Sequence, residues 1–381
     1  MSNLTENTFE HISPYADREI NAAMQRIVAD QSFGQILKFL FPELPHQPII
    51  DKIKNIHSAE MFQRQFMHPA VNSIINKTAD GLTCSGFNAL NKKEGYLFIS
   101  NHRDIVLDAA ILQVLLYDNE MDSSEISFGS NLMCNQFVID IGKSNKMYTV
   151  VRSASIKEFY RNSLLLSSYL RNLIVLEKHS AWIAQRKGRT KDGDDHTETA
   201  LLKMLNMSGK KTIAQNINDL NIIPMSVSYE FEPCCRSKVV EIYYKTKIGE
   251  YVKKPNEDLM SILNGFTQYK GGIHIGVGSI LHVANKMDEL ESNNAVVKIA
   301  NTIDQVIFQN YKLWPNNYIA YDMYYDTNEF QSAYTLDQKN IFLKYMEKEL
   351  KGLEEDRNEL EKIFLLIYAN ALTNSMKNAE N

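Results

Sequence analysis

The chain has 381 residues, 23% of them charged and 44% hydrophobic, with a net charge of −5 at pH 7. That length buries a substantial core and suits one large domain or a domain with extensions. The slightly acidic balance gives no global sign of nucleic-acid binding, and none is expected. The cysteines Cys84, Cys134, Cys234 and Cys235 lack metal-ligand spacing, neither a metal nor a cofactor is expected, and a reducing cytosol is the expected setting. The opening Met1-Ser-Asn-Leu-Thr-Glu is polar and shows no signal-peptide pattern. No apolar run reaches the roughly 18 residues that a spanning helix needs.

Residues 1–80 read as helical, with apolar residues at three- and four-residue spacing over Glu19–Asp30, Phe33–Leu40 and Ala59–Lys77, interrupted at Pro45 and Pro48. From Leu82 short β-rich runs alternate with helical ones. Strands are expected at Tyr96–Ser100, Ile126–Gly129, Met147–Val151, Ala181–Gln185, Ile222–Tyr229, Val239–Tyr244 and Ile273–Val277. Helices are expected at Asp108–Tyr117, Ile156–Glu177 (opened by the capping-box pattern Ser155-Ile-Lys-Glu158) and Glu198–Met207. Such alternation predicts an α/β class: a mostly parallel sheet flanked by helices, its ligands gathering beyond the strand ends. From about 288 the pattern returns to helix, with Leu336–Leu353 and Glu359–Ser375 foremost, and Trp314–Tyr325 reads as aromatic and irregular. The expected organisation is a helical region over 1–80, an α/β domain over 81–285 and a helical extension over 286–381.

Four segments carry candidate chemistry. The first is the polar knot Ser100-Asn-His-Arg-Asp-Ile-Val-Leu-Asp108, between an apolar strand and an apolar helix. His102 suits a general base, with Asp108 or Asp104 to orient its ring. The plainer alternative is a helix N-terminus capped by Asn101 or Asp104, with His102 incidental. The second is the loop after Gln185, where Arg186, Lys187, Arg189 and Lys191 crowd around Gly188. Clustered guanidinium forks at a strand end suit a phosphate, unless Asp192, Asp194 and Asp195 merely cancel the charge in a solvated loop. The third is Tyr148-Thr-Val-Val-Arg152, which either aims Arg152 at the same cleft or leaves it on the surface. The fourth is Ile222–Tyr229, where Pro224 suggests an edge strand or a bulge and core packing accounts for the rest.

In this order the segments resemble the four blocks of the glycerolipid acyltransferase family, which includes glycerol-3-phosphate and 1-acylglycerol-3-phosphate acyltransferases. The likeness covers roughly residues 82–282. Asn101-His102 and the helix after Asp108 match the first block, where His is the base. Gly129-Ser-Asn-Leu132 through Val150-Val-Arg152 has the shape of the second, Gly188-Arg189-Thr190 is similar to the third, and Pro224 opens the fourth; Gly271–Gly278 resembles the final β element. Two departures stand out. Five residues separate His102 from Asp108 where the family has four, and Lys187 stands where the third block has Glu.

The resemblance implies acyl transfer from acyl-CoA or an acyl carrier protein to the hydroxyl of a glycerol-3-phosphate or lysophosphatidate-type acceptor. His102 would be the base, with Asp108 or Asp104 beside it. Asn101, Arg103, Arg152, Arg186, Gly188, Arg189 and Lys191 would bind substrate. It also implies a cytoplasmic protein held peripherally on the inner face of a membrane. The contact face would lie in the first 80 residues or around Leu164–Leu176, the latter better suited to packing on the core. The altered third block keeps two alternatives open: another lipid acceptor, such as an aminolipid or sugar lipid, and a non-catalytic lipid-binding protein with this fold.

Overall fold

The computed structural model describes residues 9–152 and 155–379. Its centre is a seven-stranded sheet: β1 (Ala79–Ser85), β2 (Leu97–Ser100), β3 (Glu125–Gly129), β4 (Met147–Val150), β5 (Ala181–Ala184), β6 (Ile222–Tyr229) and β7 (Gly271–Val277). The spatial order is β1-β7-β6-β2-β5-β3-β4. Strands β2 to β6 are mutually parallel, β7 runs antiparallel to β6, and β1 runs parallel to β7. The expected α/β class is therefore the class observed.

Burial explains which segments became central. Every residue of β2 and β6 is buried, as mainly apolar runs in a sheet covered on both faces are expected to be. On one face, Phe98, Ile223 and Val227 pack with the N-terminal helices through Ile20, Phe33, Phe62 and Ile74. On the other, Leu97, Ile99 and Ile222 meet Leu170, Leu205 and Ile303. A third cluster joins Cys235 and Val239 to Phe342, Phe364 and Tyr368 of the C-terminal helices.

Several expectations need correction. Val239–Tyr244 is not a strand but the middle of the helix Cys235–Lys247. Its β-branched and aromatic run mimics a strand, yet Val239 is the position that packs against the C-terminal helices. Trp314–Tyr325 is not irregular: Pro315–Tyr324 is a helix with Pro at its first position and Asn317 Oδ1 accepting from Trp314 N at 2.7 Å. Pro45 and Pro48 do not simply break the N-terminal region, since Pro45 precedes the helix His46–Lys54. Strand β6 is interior rather than an edge. Pro224 is accommodated because pairing with β7 begins only at Met225. Strand β1 escaped the sequence reading because its pattern of burial is mostly exposed and not alternating.

The parallel arrangement fixes where chemistry sits. The segments following β2, β3, β4 and β5 all leave the sheet at one end, which brings the polar knot, Gly129, Arg152 and the basic loop to the same rim.

Candidate active site

Strand β2 ends at Ser100, and the chain leaves the sheet through Asn101 and His102. His102 Nδ1 lies 2.8 Å from Asp108 Oδ2. Asp108 sits in the first turn of the helix Leu107–Asp118 and is fully buried. Three further donors converge on its carboxylate. Arg103 N reaches Oδ2 at 2.6 Å and Asp104 N at 3.0 Å, while the Tyr229 hydroxyl donates to Oδ1 at 2.8 Å. Burial alone would push the Asp108 carboxyl up, but the His102 hydrogen bond and charge, with the two amides, outweigh it and hold the group below its ordinary range. An ionised carboxylate on Nδ1 places the proton there and leaves the Nε2 lone pair outward. The His102 side chain is 12% exposed, and its Nε2 accepts no hydrogen bond among the described residues. The Trp182 ring meets it edge-on, with centroids 5.4 Å apart.

The question of which aspartate orients His102 resolves to Asp108. Asp104 has a different task. Its Oδ1 accepts from Val106 N at 2.9 Å and Leu107 N at 2.8 Å, which caps the helix that carries Asp108. The loop 103–106 thereby curls over the Asp108 carboxylate, and the additional residue between His102 and Asp108 is absorbed in that curl. Asp104 Oδ2 is buried without a hydrogen-bond partner, and Gly265 packs so closely on it that a Cβ there would come within 2.1 Å. Burial, then the Asp108 charge, raises the Asp104 carboxyl. Two neighbouring carboxyls are thus driven apart in acidity by their surroundings.

Asn101 and Arg103 do not face a substrate. Asn101 is fully buried and stitches β2 to β6: its Oδ1 accepts from Val227 N at 2.7 Å, and its Nδ2 donates to Val227 O and Asp195 Oδ2, both at 3.0 Å. Arg103, 1% exposed, donates to Asp195 Oδ2 at 2.5 Å and to Glu232 Oε2 at 3.4 Å. Lys238 pairs with Glu232 and donates to Arg103 O at 2.8 Å. The substrate-binding reading of these two residues is corrected on that ground: their side chains are buried and turned inward, and apart from Arg103 Nε their polar groups are taken up by protein partners. A buried ion-pair network of this kind needs every member in place.

The network positions the basic loop. Thr190 N donates to His102 O at 2.8 Å, so the loop is tied to the backbone of His102 itself. Gly188 and Gly193 take positive φ, +81° and +78°. A side chain at Gly193 would strike Ile367 O of the helix Arg357–Ala379, and Asn370 Nδ2 of that helix donates to Asp192 O at 2.8 Å. The far C-terminal helix therefore braces a loop that follows β5.

The four predicted cations part company. Arg189 is half-buried with Nη1 enclosed and unpartnered, close to the Asp104 carboxyl and the Cys234 thiol. Lys191 donates to Glu241 Oε2 at 2.7 Å, and burial followed by the Arg189 charge pulls its ammonium down to about 8. Arg186 donates to Asp194 O at 3.3 Å and lies 4.0 Å from Glu198. Arg152 is exposed after β4, three strands from β2 or about 14 Å across the sheet. Its guanidinium turns back over Gly129, within 3.8 Å of where a Cβ would stand. Gly188 is an exposed turn position. Of the four, Arg189 is thus the loop cation that no carboxylate holds in an ion pair among the described residues, its Nη1 enclosed beside Asp104 and Cys234.

Sequence reasoning missed Tyr229, Asp195, Glu232 and Lys238. Tyr229 had a usable signal: a large hydroxyl-bearing side chain at the very end of a buried strand, beyond Ser226 and Ser228. Asp195 was read as neutralising the loop, whereas it pairs inward with Arg103. A cavity of about 260 Å³, lined by Gln63, Gln113, Asn145 and Lys146 among others, opens at the opposite end of the sheet and takes no part in the site.

No model of a known protein family matches this sequence, and no curated protein does. Among solved structures, the fold is similar to that of the 1-acyl-sn-glycerophosphate (LPA) acyltransferase PlsC from Thermotoga maritima, with 10% sequence identity and a TM-score of 0.36, over 75% of this chain and 94% of that chain.

Proposed function

We propose that the protein transfers an acyl group from a thioester to the hydroxyl of an anionic lipid precursor, with glycerol 3-phosphate or a lysophosphatidate-type molecule as acceptor. The observation that carries this reading is the His102–Asp108 pair: a buried, four-times hydrogen-bonded carboxylate on Nδ1 and an unoccupied Nε2 at a strand end. Nε2 takes the proton of the acceptor hydroxyl as its oxygen attacks the thioester carbonyl carbon. The tetrahedral intermediate collapses with rupture of the C–S bond. The imidazolium returns the proton to the leaving sulfur, so ester and free thiol are the products. In this reading Arg189, half-buried in the loop tied to His102 O, turns its guanidinium to the acceptor's phosphate, and Arg152 stands on the same rim. Acyl-CoA and acyl carrier protein are both suitable donors for this chemistry. The contact with a membrane is peripheral in this reading, and among the described residues no helix is long and apolar enough to cross one.

A second reading changes only the acceptor. Lys191 is held by Glu241 and Lys187 is exposed, so the loop offers fewer free cations than its composition promised. A sugar-lipid phosphate or the carboxylate of an aminolipid is then an alternative anion.

The experiment is thiol release by purified protein with one acyl donor and a series of acceptors. His102→Ala is expected to lower turnover about 10²–10⁴-fold while leaving the fold intact. Equal turnover of His102→Ala and the native protein refutes the mechanism. Binding of lipid without any turnover points instead to a non-catalytic lipid carrier.

A further inference from the structure

The helix Ile156–Arg171 begins just after β4, at the rim that carries His102. Its later turns pack inward through Leu166, Tyr169 and Leu170. Its first turns do not: residues 155–161 are exposed all round, so this end of the helix stands clear of the sheet. Ser155 caps it by accepting from Glu158 N at 3.3 Å, which keeps the protruding turns helical.

The protruding end is strongly apolar. Ile156 is 90% exposed, Phe159 61% and Tyr160 63%, with Val151 at 40% just before the helix. Three large apolar side chains standing this far out of one short segment are unusual on a protein that folds in water. Arg152, Lys157 and Arg161 lie among them against a single carboxylate, Glu158, and all four are exposed. Apolar groups with interleaved cations and an aromatic tyrosine match the layered chemistry of an anionic bilayer surface: acyl chains, interface, phosphate.

A second apolar stretch is tied to the first. Leu259, Met260 and Leu263 of the helix Glu257–Thr267 are 47–52% exposed. The turn Ser130–Leu132 links the two, since Arg152 N donates to Ser130 Oγ at 3.1 Å and Asn131 Nδ2 to Asp258 Oδ2 at 3.4 Å. The same second helix lies over Asp104 through Gly265. The two stretches therefore flank the rim from which His102 is reached.

We infer that the first turns of the helix Ile156–Arg171 are a docking surface for an anionic lipid bilayer, which sets the mouth of the His102 site against the headgroups. This deepens the acyl-transfer reading by naming the surface that delivers a lipid acceptor. Its vesicle-binding test does not depend on turnover.

The test is co-sedimentation of the full chain with vesicles of phosphatidylcholine alone or with added phosphatidylglycerol. The native protein pellets with the mixed vesicles and much less with the neutral ones. The Ile156→Ser/Phe159→Ser variant loses binding by at least about tenfold, and Lys157→Gln/Arg161→Gln by about fivefold for each charge removed. Neither pair contacts the site, so both variants keep the native melting curve and the native turnover of a water-soluble, short-chain donor and acceptor. Absence of turnover in every form overturns acyl transfer and leaves the vesicle result to stand on its own. The docking surface is overturned if the native protein ignores both kinds of vesicle, if the serine variant binds as the native protein does, or if that variant alters the sedimentation of lipid-free protein, which would make this face a contact between copies.

Discussion

Replacing Asp108 by Asn separates charge from geometry at His102, the proposed base. The carboxylate Oδ2 receives three donors, from His102, Arg103 and Asp104, and Oδ1 receives the Tyr229 hydroxyl. An asparagine fits this set in one orientation. Its carbonyl takes the three donors, and its amide donates to a Tyr229 hydroxyl turned to accept. The His102 tautomer and ring position survive, and only the negative charge is lost. A unit charge at roughly 4 Å in surroundings of effective dielectric about 20 is worth about 4 kcal/mol to a full imidazolium. With between half and all of that charge developed in the transition state, turnover falls between about 30-fold and 1,000-fold. Asp104→Asn is the counterpart. Its carbonyl keeps the cap to Val106 and Leu107, and it removes a carboxyl that burial already disfavours. Its turnover stays within about threefold of native, at a stability cost of about 1–2 kcal/mol for the buried amide. The assay is continuous thiol release with urea unfolding as the control. Comparable losses in the two variants, or an Asp108→Asn protein that retains more than about a third of native turnover, would refute the division of labour between the two aspartates.

Arg103→Met removes the cation from a buried network and leaves Asp195 and part of Glu232 uncompensated. It is expected to cost about 3–5 kcal/mol in urea unfolding, and a loss under about 1 kcal/mol would mean that the network is a surface-like pairing. His196 is held by Asp194 at 3.0 Å and Asp304 at 3.2 Å, and these hydrogen bonds, Asp194's first, raise its imidazole from the usual 6.5 to about 10. A raised folded-state value contributes stability that is fully present below the unfolded value and lost as pH climbs through the folded one. Unfolding free energy should therefore decline from about pH 6.5 to pH 10, by under about 1 kcal/mol because the ring is half exposed. His196→Gln should flatten that part of the profile; an unchanged slope would assign it to other groups.

The parts of this molecule that were legible in the sequence are those with local signatures. Continuous apolar runs gave β2 and β6, and the capping pattern at Ser155 gave the helix that follows β4. The polar knot stood out because five hydrogen-bonding side chains between two apolar elements have no packing purpose. What stayed hidden depends on partners distant in sequence. Tyr229 reaches Asp108 across 121 positions and Glu232 reaches Arg103 across 129. From sequence alone Arg103 is indistinguishable from a substrate clamp, and only burial beside Asp195 shows it to be internal. Val239–Tyr244 misled for a different reason: its β-branched and aromatic residues serve a helix whose inner face is made by the C-terminal segment.

That C-terminal segment bears on how the protein is made. The loop over the base stays in place because Gly193 and Asp192 lean on Ile367 and Asn370. During synthesis His102 and Arg189 leave the ribosome long before their support does. Until that segment is in place, the loop lacks the contacts that hold Gly193 and Asp192. The helix Arg357–Ala379 is therefore a late-arriving brace: the loop beside His102 gains its full set of contacts only after that segment has emerged.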